Sequence, residues 1–196
     1  MSSYSHTMSQ AMLAAATSGE MRVLMLGLGG GTIAAAMARH NHTVTAVEVS
    51  ASVARFSEQH FFPLFRRSGV DTSRIRIIQH DAAAMERSSL PRRHFHLLCV
   101  DVPFCYERFD SACAVTLSTL ARFATSGASL FVNVFHGKPH EQLRSTNLMP
   151  QWRYVGERIS RTNNRICRYE RTNATAPARW GSFLGALGSA IGWRDR

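Results

Sequence analysis

From Met21 onward, short apolar runs alternate with helix-forming runs, and this alternation restricts the fold more than any other feature. Met21–Leu26 is an apolar run of strand length, followed by an alanine-rich helical run over Thr32–Arg39. Thr43–Val49 is β-branched and alternating. Ser52–Phe62 has a helical pattern expected to stop at Pro63, since proline breaks a helical ladder. Arg74–Gln79 alternates Arg with Ile, a strand with one wet face, and Phe95–Val100 is an apolar strand. Ser111–Ala124 is expected to be a helix burying Ala112, Val115, Leu117, Leu120 and Phe123, and Ala128–Phe135 a strand. Arg153–Ile159 and Arg165–Arg171 flank the turn-prone pair Asn163-Asn164. Strands alternating with helices form parallel βαβ units. The expected fold is therefore α/β: a doubly wound, Rossmann-like, mostly parallel sheet with a C-terminal antiparallel hairpin. The chain divides into an N-terminal extension (1–20, with helical pattern over Ser9–Ala16), a sheet domain (21–172) and an amphipathic tail (173–196).

In such a sheet, the first strand-to-helix turn lies at the ligand crevice beyond the strand carboxyl ends. Here that turn has four glycines in five positions, Gly27 to Gly31. Glycine lets the backbone approach a ligand without a Cβ clash and leaves N–H groups free at a helix start. Glu48 ends the second strand, 21 residues after Gly27, where a carboxylate can accept both hydroxyls of a ribose. The alternative is a tight turn with an exposed acid. Thr32 stands where a dinucleotide fingerprint has its third glycine or alanine, which argues against NAD. "IIQHDA" adds Asp81, placed to accept from an adenine amine, and "LLCVDVPF" puts Asp101 where a reacting group would lie.

"VLMLGLGGG", "VTAVEV", "IIQHDA", "HLLCVDV", "GASLFVNVF" and "NNRICRYE" follow one another over residues 21–171. In that order and spacing the chain resembles the class I S-adenosylmethionine-dependent methyltransferase fold, and within it the spermidine-synthase-like branch. The resemblance implies S-adenosylmethionine as cofactor. Gly27, Gly29 and Gly31 would line its methionine and ribose part, Glu48 would hold the ribose hydroxyls, and Asp81 would sit near the adenine amine. Asp101 falls on the branch's acid at the active centre. The synthases also carry an acid inside the glycine loop and another three residues after the central one; here these positions are Gly30 and Phe104. Little is left to hold a cationic polyamine, so aminopropyl transfer is not expected. Met25 stands where many methyltransferases have an acid.

"DVPF" partly matches the (D/N)PP(Y/F) motif of amine-methylating enzymes, with Val102 for the first proline. That match casts Asp101 as amine positioner or proton acceptor and Phe104 as the wall of the site. Otherwise Asp101 caps the next segment and Phe104 packs in the core. Two functions follow. One is a methyltransferase acting on an amine of a protein or RNA. The other is a non-catalytic subunit or assembly factor of a large complex, with a mitochondrial one among the candidates.

Composition bears on partners. The net charge is +10, and of 23 basic residues only Lys138 is lysine. Arginine forks suit phosphates and carboxylates, so RNA or an anionic surface is an expected neighbour, set against arginine spread over a solvated face. No apolar stretch is long enough to span a bilayer. Cys99, Cys105, Cys113 and Cys167 form no CxxC pair and read as free thiols. No zinc spacing occurs, and the pairs His40/His42 and His94/His96 read as surface histidines. The compartment is expected to be intracellular, mitochondrial in preference to cytoplasmic. In the tail, Trp180, Phe183, Leu184, Leu187 and Ile191 make one helical stripe, expected to pack on a protein partner in preference to a membrane surface, with packing on the chain's own domain the alternative.

Overall fold

The computed structural model describes residues 3–17, 19–88, 90–102, 111–135 and 151–172. Seven strands form one sheet: β1 Arg22–Leu26, β2 Thr43–Glu48, β3 Ile75–Gln79, β4 Phe95–Val100, β5 Ala124–Phe135, β6 Trp152–Ile159 and β7 Asn164–Arg171. Their order is β3-β2-β1-β4-β5-β7-β6. The first five pair in parallel, while β7 runs antiparallel to both β5 and β6. The expected mostly parallel sheet and terminal hairpin are both present. The last strand, not the sixth, lies against β5.

The sheet is covered on both faces, and period 2 within β1 shows why Val23 to Leu26 are all apolar. Leu24 and Leu26 enter one core cluster with Leu98, Val100, Leu130 and Leu117. Val23 and Met25 enter the other with Val44, Leu97, Cys99 and Phe131. The second face is closed by α1 (Ser3–Ala15) and α2 (Thr32–Arg39). Helix α1 begins six residues before the Ser9 expected from the pattern. Met8, Ala11 and Met12 are wholly buried, and Tyr4 and Ala15 extend the same stripe at helical spacing.

The helical segment after β2 does not stop at Pro63. It runs as α3 (Ala51–Phe56), a π turn (Ser57–Phe61) and α4 (Phe62–Arg67). In the π turn the Phe62 N–H reaches back five residues to the Ser57 carbonyl. Helix α4 therefore starts afresh, with Pro63 in its first turn, where a missing N–H leaves no bond unmade.

Helix α5 (Ser111–Leu120) packs on the first face through Cys113, Thr116, Leu117 and Leu120, each buried. That i, i+3, i+4, i+7 face turns Val115 outward, at 56% exposure, against the expectation that it is buried. Phe123 is buried but lies in the turn after the helix, and β5 starts at Ala124 rather than Ala128. The Ala112 side chain lies outside the described residues. The Trp152 indole N–H donates to the Leu117 carbonyl at 2.9 Å, tying the hairpin to α5.

Two of the histidines read as surface residues are structural. Nδ1 of buried His42 accepts the Met21 N–H at 3.2 Å, and Nδ1 of His96 accepts the Arg22 N–H at 3.0 Å. The first two amides at the head of β1 are thus held by imidazoles from two different segments. Burial lowers the pKa of both rings, with His40 adding to the effect at His42 and Arg22 at His96. Cys99, Cys113 and Cys167 are buried thiols outside any disulfide; Cys105 lies outside the described residues. Among the described residues no helix is long and apolar enough to cross a membrane.

Candidate functional site

The glycines after β1 meet different demands. Gly27 has φ +86°, and a Cβ there would lie 2.2 Å from the Asp101 carbonyl oxygen. The tips of β1 and β4 therefore touch backbone to backbone, and the Asp101 N–H donates to the Leu26 carbonyl at 2.9 Å. Gly29 has φ +52° and open space where its Cβ would be. Its carbonyl accepts the Ser57 hydroxyl at 2.6 Å, so the π turn holds the loop from outside. Gly31 is the left-handed N-cap of α2, beneath the Phe62 ring.

Glu48 fastens this loop to the end of β2. One carboxylate oxygen accepts the Leu28 N–H at 3.1 Å and the other the Ser50 N–H at 2.9 Å. The residue is 9% exposed, and each oxygen keeps a lone pair beyond the amide it holds. Beside it, Val49 is 64% exposed, an apolar side chain in the open at the carboxyl end of a strand. Sequence reasoning passed over Val49 because it reads simply as the next residue of a β-branched strand. Asp81 stands beyond β3, exposed, its carboxylate accepting the Ala83 N–H at 2.8 Å as the cap of a 3-10 turn.

Asp101 follows β4 and is half-buried. Its carboxylate accepts from the Asn133 side-chain amide at 2.9 Å and from the Tyr4 hydroxyl at 3.3 Å. Asn133 accepts in turn from the Asn164 side-chain amide at 3.0 Å, and Asn164 from the Thr162 hydroxyl at 2.9 Å. Asn133 and Asn164 are both buried. Burial and the Asp101 charge push the Tyr4 phenol pKa up, keeping its proton in place as a donor. Burial, reinforced by Asp101, also raises the pKa of the Cys99 thiol, which keeps it protonated and inert. None of Tyr4, Asn133 and Asn164 was singled out for the site from sequence. The available signal was one asparagine inside the apolar run "ASLFVNVF".

The structure thus joins Glu48 to the glycine loop and Gly27 to Asp101. Asp81 lies one strand further out and bonds to neither acid. Phe104 lies outside the described residues.

No protein-family model and no curated protein sequence matches the chain. Solved structures do. A probable spermidine synthase from Corynebacterium glutamicum superposes with a TM-score of 0.69 at 18% identity, over 97% of this chain and 69% of that one. A 1,6-didemethyltoxoflavin N1-methyltransferase from Burkholderia thailandensis, solved with its substrate and S-adenosylhomocysteine, gives 0.65 at 15% identity, over 87% and 80%. A protein described as a predicted O-methyltransferase, from Agrobacterium tumefaciens, gives 0.61 at 19% identity, over 84% and 81%. With the 3-2-1-4-5-7-6 sheet and these superpositions together, the chain has the class I S-adenosylmethionine-dependent methyltransferase fold.

Proposed function

We propose that the carboxyl ends of β1, β2 and β3 bind S-adenosylmethionine and that the protein methylates an amine of a protein or RNA. The observation that carries the reading is Glu48: a nearly buried carboxylate, fixed by two backbone amides, with lone pairs remaining beside the open position at Gly29. That arrangement suits a ribose diol. Val49 offers an apolar surface for an adenine ring, and Asp81 an acceptor for its amine. Gly27, Gly29 and Gly31 leave backbone rather than side chains along the loop. The cofactor, when bound, supplies an electrophilic methyl group on sulfur. The chain's own part is to align an amine and accept its proton. Asp101 is the group for that task, oriented by Asn133 and Tyr4, with Phe104 as the wall. The loop position held by an acid in spermidine synthases is Gly30, so aminopropyl transfer is not proposed.

A second reading has its own support. Both Asp101 oxygens already accept hydrogen bonds from this chain, as suits a non-catalytic subunit or assembly factor. For that reading the tail stripe from Trp180 to Ile191 would dock on a protein partner, in an intracellular, mitochondrial setting; residues 173–196 lie outside the described residues.

Calorimetry with S-adenosylhomocysteine tests the proposal. The wild-type protein is expected to bind, and Glu48→Ala to bind ten- to a hundredfold more weakly, about 1.5–3 kcal/mol for lost charge-assisted bonds. No heat from the wild-type protein would overturn cofactor binding. Equal affinities would overturn the role given to Glu48.

A further inference from the structure

The sheet end away from Glu48 and Asp101 gathers arginines. Arg92 and Arg93 precede β4, Arg122 follows α5, and Arg171 ends β7. With Ser118 and Gln151, whose side-chain oxygen accepts the Ser118 hydroxyl at 3.1 Å, they line a crevice of about 270 Å3, and no carboxylate is among its lining residues. Backbone bonds zip the two turns that carry three of these arginines. The Arg93 N–H donates to the Arg122 carbonyl at 2.9 Å and the His94 N–H to the Phe123 carbonyl at 2.7 Å. Arg93 is left-handed at φ +48°, an unusual conformation for a side chain this long. The Arg171 guanidinium is anchored by donating to the Ala124 carbonyl. Its pKa is lowered first by burial and next by the Arg93 charge, so the two cations lie near each other, and neither has an ion pair among the described residues.

On β6 and β7, three arginines meet acids. Arg153 and Arg168 pair with Glu170, and Arg165 pairs with Glu157. Among the described residues, Arg92, Arg93 and Arg122 have neither an ion pair nor a side-chain hydrogen bond. Unpaired like charges repel, and here a folded backbone holds them together.

We propose that this crevice binds the phosphodiester backbone of a single-stranded nucleic acid. Guanidinium forks match phosphate oxygens, and the Gln151 side-chain N–H groups, oriented by the Ser118 hydroxyl on the amide oxygen, add neutral donors to the same wall. Arg92, Arg93 and Arg122 are exposed, which makes an open groove over which a strand can pass rather than a chamber for a small anion. The lining holds no aromatic ring to stack a base, so the contact is to backbone and indifferent to sequence. The net charge of +10 favours a polyanion in the same direction. The site lies at the opposite end of the strands from the proposed cofactor crevice and stands independently of it.

The experiment is fluorescence anisotropy with a short labelled oligoribonucleotide across a salt series, on the full chain. The wild-type protein is expected to bind with an affinity that falls as salt rises. For Arg92→Ala/Arg93→Ala/Arg122→Ala, affinity at low salt should drop roughly ten- to a hundredfold. The slope of log K against log salt should flatten by about 2, from three contacts at ~0.7 each. A charge-matched control, Arg55→Ala/Arg67→Ala/Arg76→Ala, removes three exposed arginines elsewhere and should bind nearly as wild type. Arg92→Lys/Arg93→Lys/Arg122→Lys should keep the salt slope, and it serves if the alanine variant folds poorly. Equal losses in crevice and control variants would overturn the proposal, as would no binding by the wild-type protein. Displacement of the strand by micromolar inorganic pyrophosphate would overturn it too, assigning the crevice to a small anion.

Discussion

Replacing Gly27 and Gly29 in turn by alanine separates two roles that the sequence shows as one motif. Both residues have positive φ, so each alanine pays the left-handed penalty of roughly 1–2 kcal/mol. Only at position 27 does the new methyl also meet backbone, 2.2 Å from the Asp101 carbonyl oxygen. No side chain can swing away there; the tips of β1 and β4 must part, which costs about another 1–3 kcal/mol as overpacking does elsewhere. Gly27→Ala should therefore lose about 2–5 kcal/mol, a drop of roughly 5–20 °C in melting temperature for a domain of this size. Gly29→Ala, with nothing within 4 Å, should lose only the conformational part, about 2–8 °C. Thermal denaturation followed by circular dichroism gives both numbers. On the same samples, calorimetry should show Gly29→Ala folded but more than tenfold weaker for S-adenosylhomocysteine. Melting temperatures that agree within a degree or two would refute the reasoning about β1 and β4. Unchanged affinity in Gly29→Ala would refute the ligand role of the open position.

Lowering the pH should loosen the head of β1. His42 and His96 have folded pKa values below the unfolded 6.5, so the unfolded chain binds more protons between the two values. Their contribution is full above 6.5 and is lost as pH falls from there through the folded pKa. Denaturation midpoints measured from neutral to acid should fall less steeply in His42→Asn, whose amide oxygen can accept the Met21 N–H without titrating; parallel curves would count against this. Tyr4→Phe should lower stability by about 1 kcal/mol by removing the donor to Asp101, and a melt identical to wild type would show that the 3.3 Å contact contributes nothing. Met12→Ala should destabilise by about 2–5 kcal/mol, because the side chain is wholly buried between α1 and the sheet; a smaller loss in chemical denaturation would mean that α1 is only loosely seated.

The strands were legible because their signal is local. Val23 to Leu26 are all apolar since both sheet faces are covered, and Arg76 between two isoleucines marks the wetter β3. The place of Glu48 at the end of β2, beside the glycine loop, was legible from spacing, which a short βαβ unit holds nearly constant. What was not legible depended on contacts distant in sequence. Nothing near Gly27 announces that residue 101 lies against it. Helix α1 hides its stripe in methionines and alanines among Ser, His and Thr, so its first two turns read as polar. The proline rule failed at Pro63 because it assumes an unbroken α ladder, and the π turn shifts the ladder by one residue. Val115 was placed inside because its neighbours are apolar; the face set by Cys113, Thr116, Leu117 and Leu120 leaves it outside.

The bonds around Asp101 join positions 4, 101, 133 and 164, so they cannot assemble in the order in which a ribosome delivers them. Strand β7 is made after β6 yet must enter between it and β5. Until residues 164–171 emerge, the long edge of β5 has no partner, and its run Leu130–Val134 stays open to pairing with another chain. A nascent protein of this fold thus passes through an interval in which β1 to β6 are made and the strand that joins β5 to β6 is still missing. Slow synthesis over that stretch, or a stop codon just before it, would yield a sticky open sheet rather than a weakened version of the finished molecule.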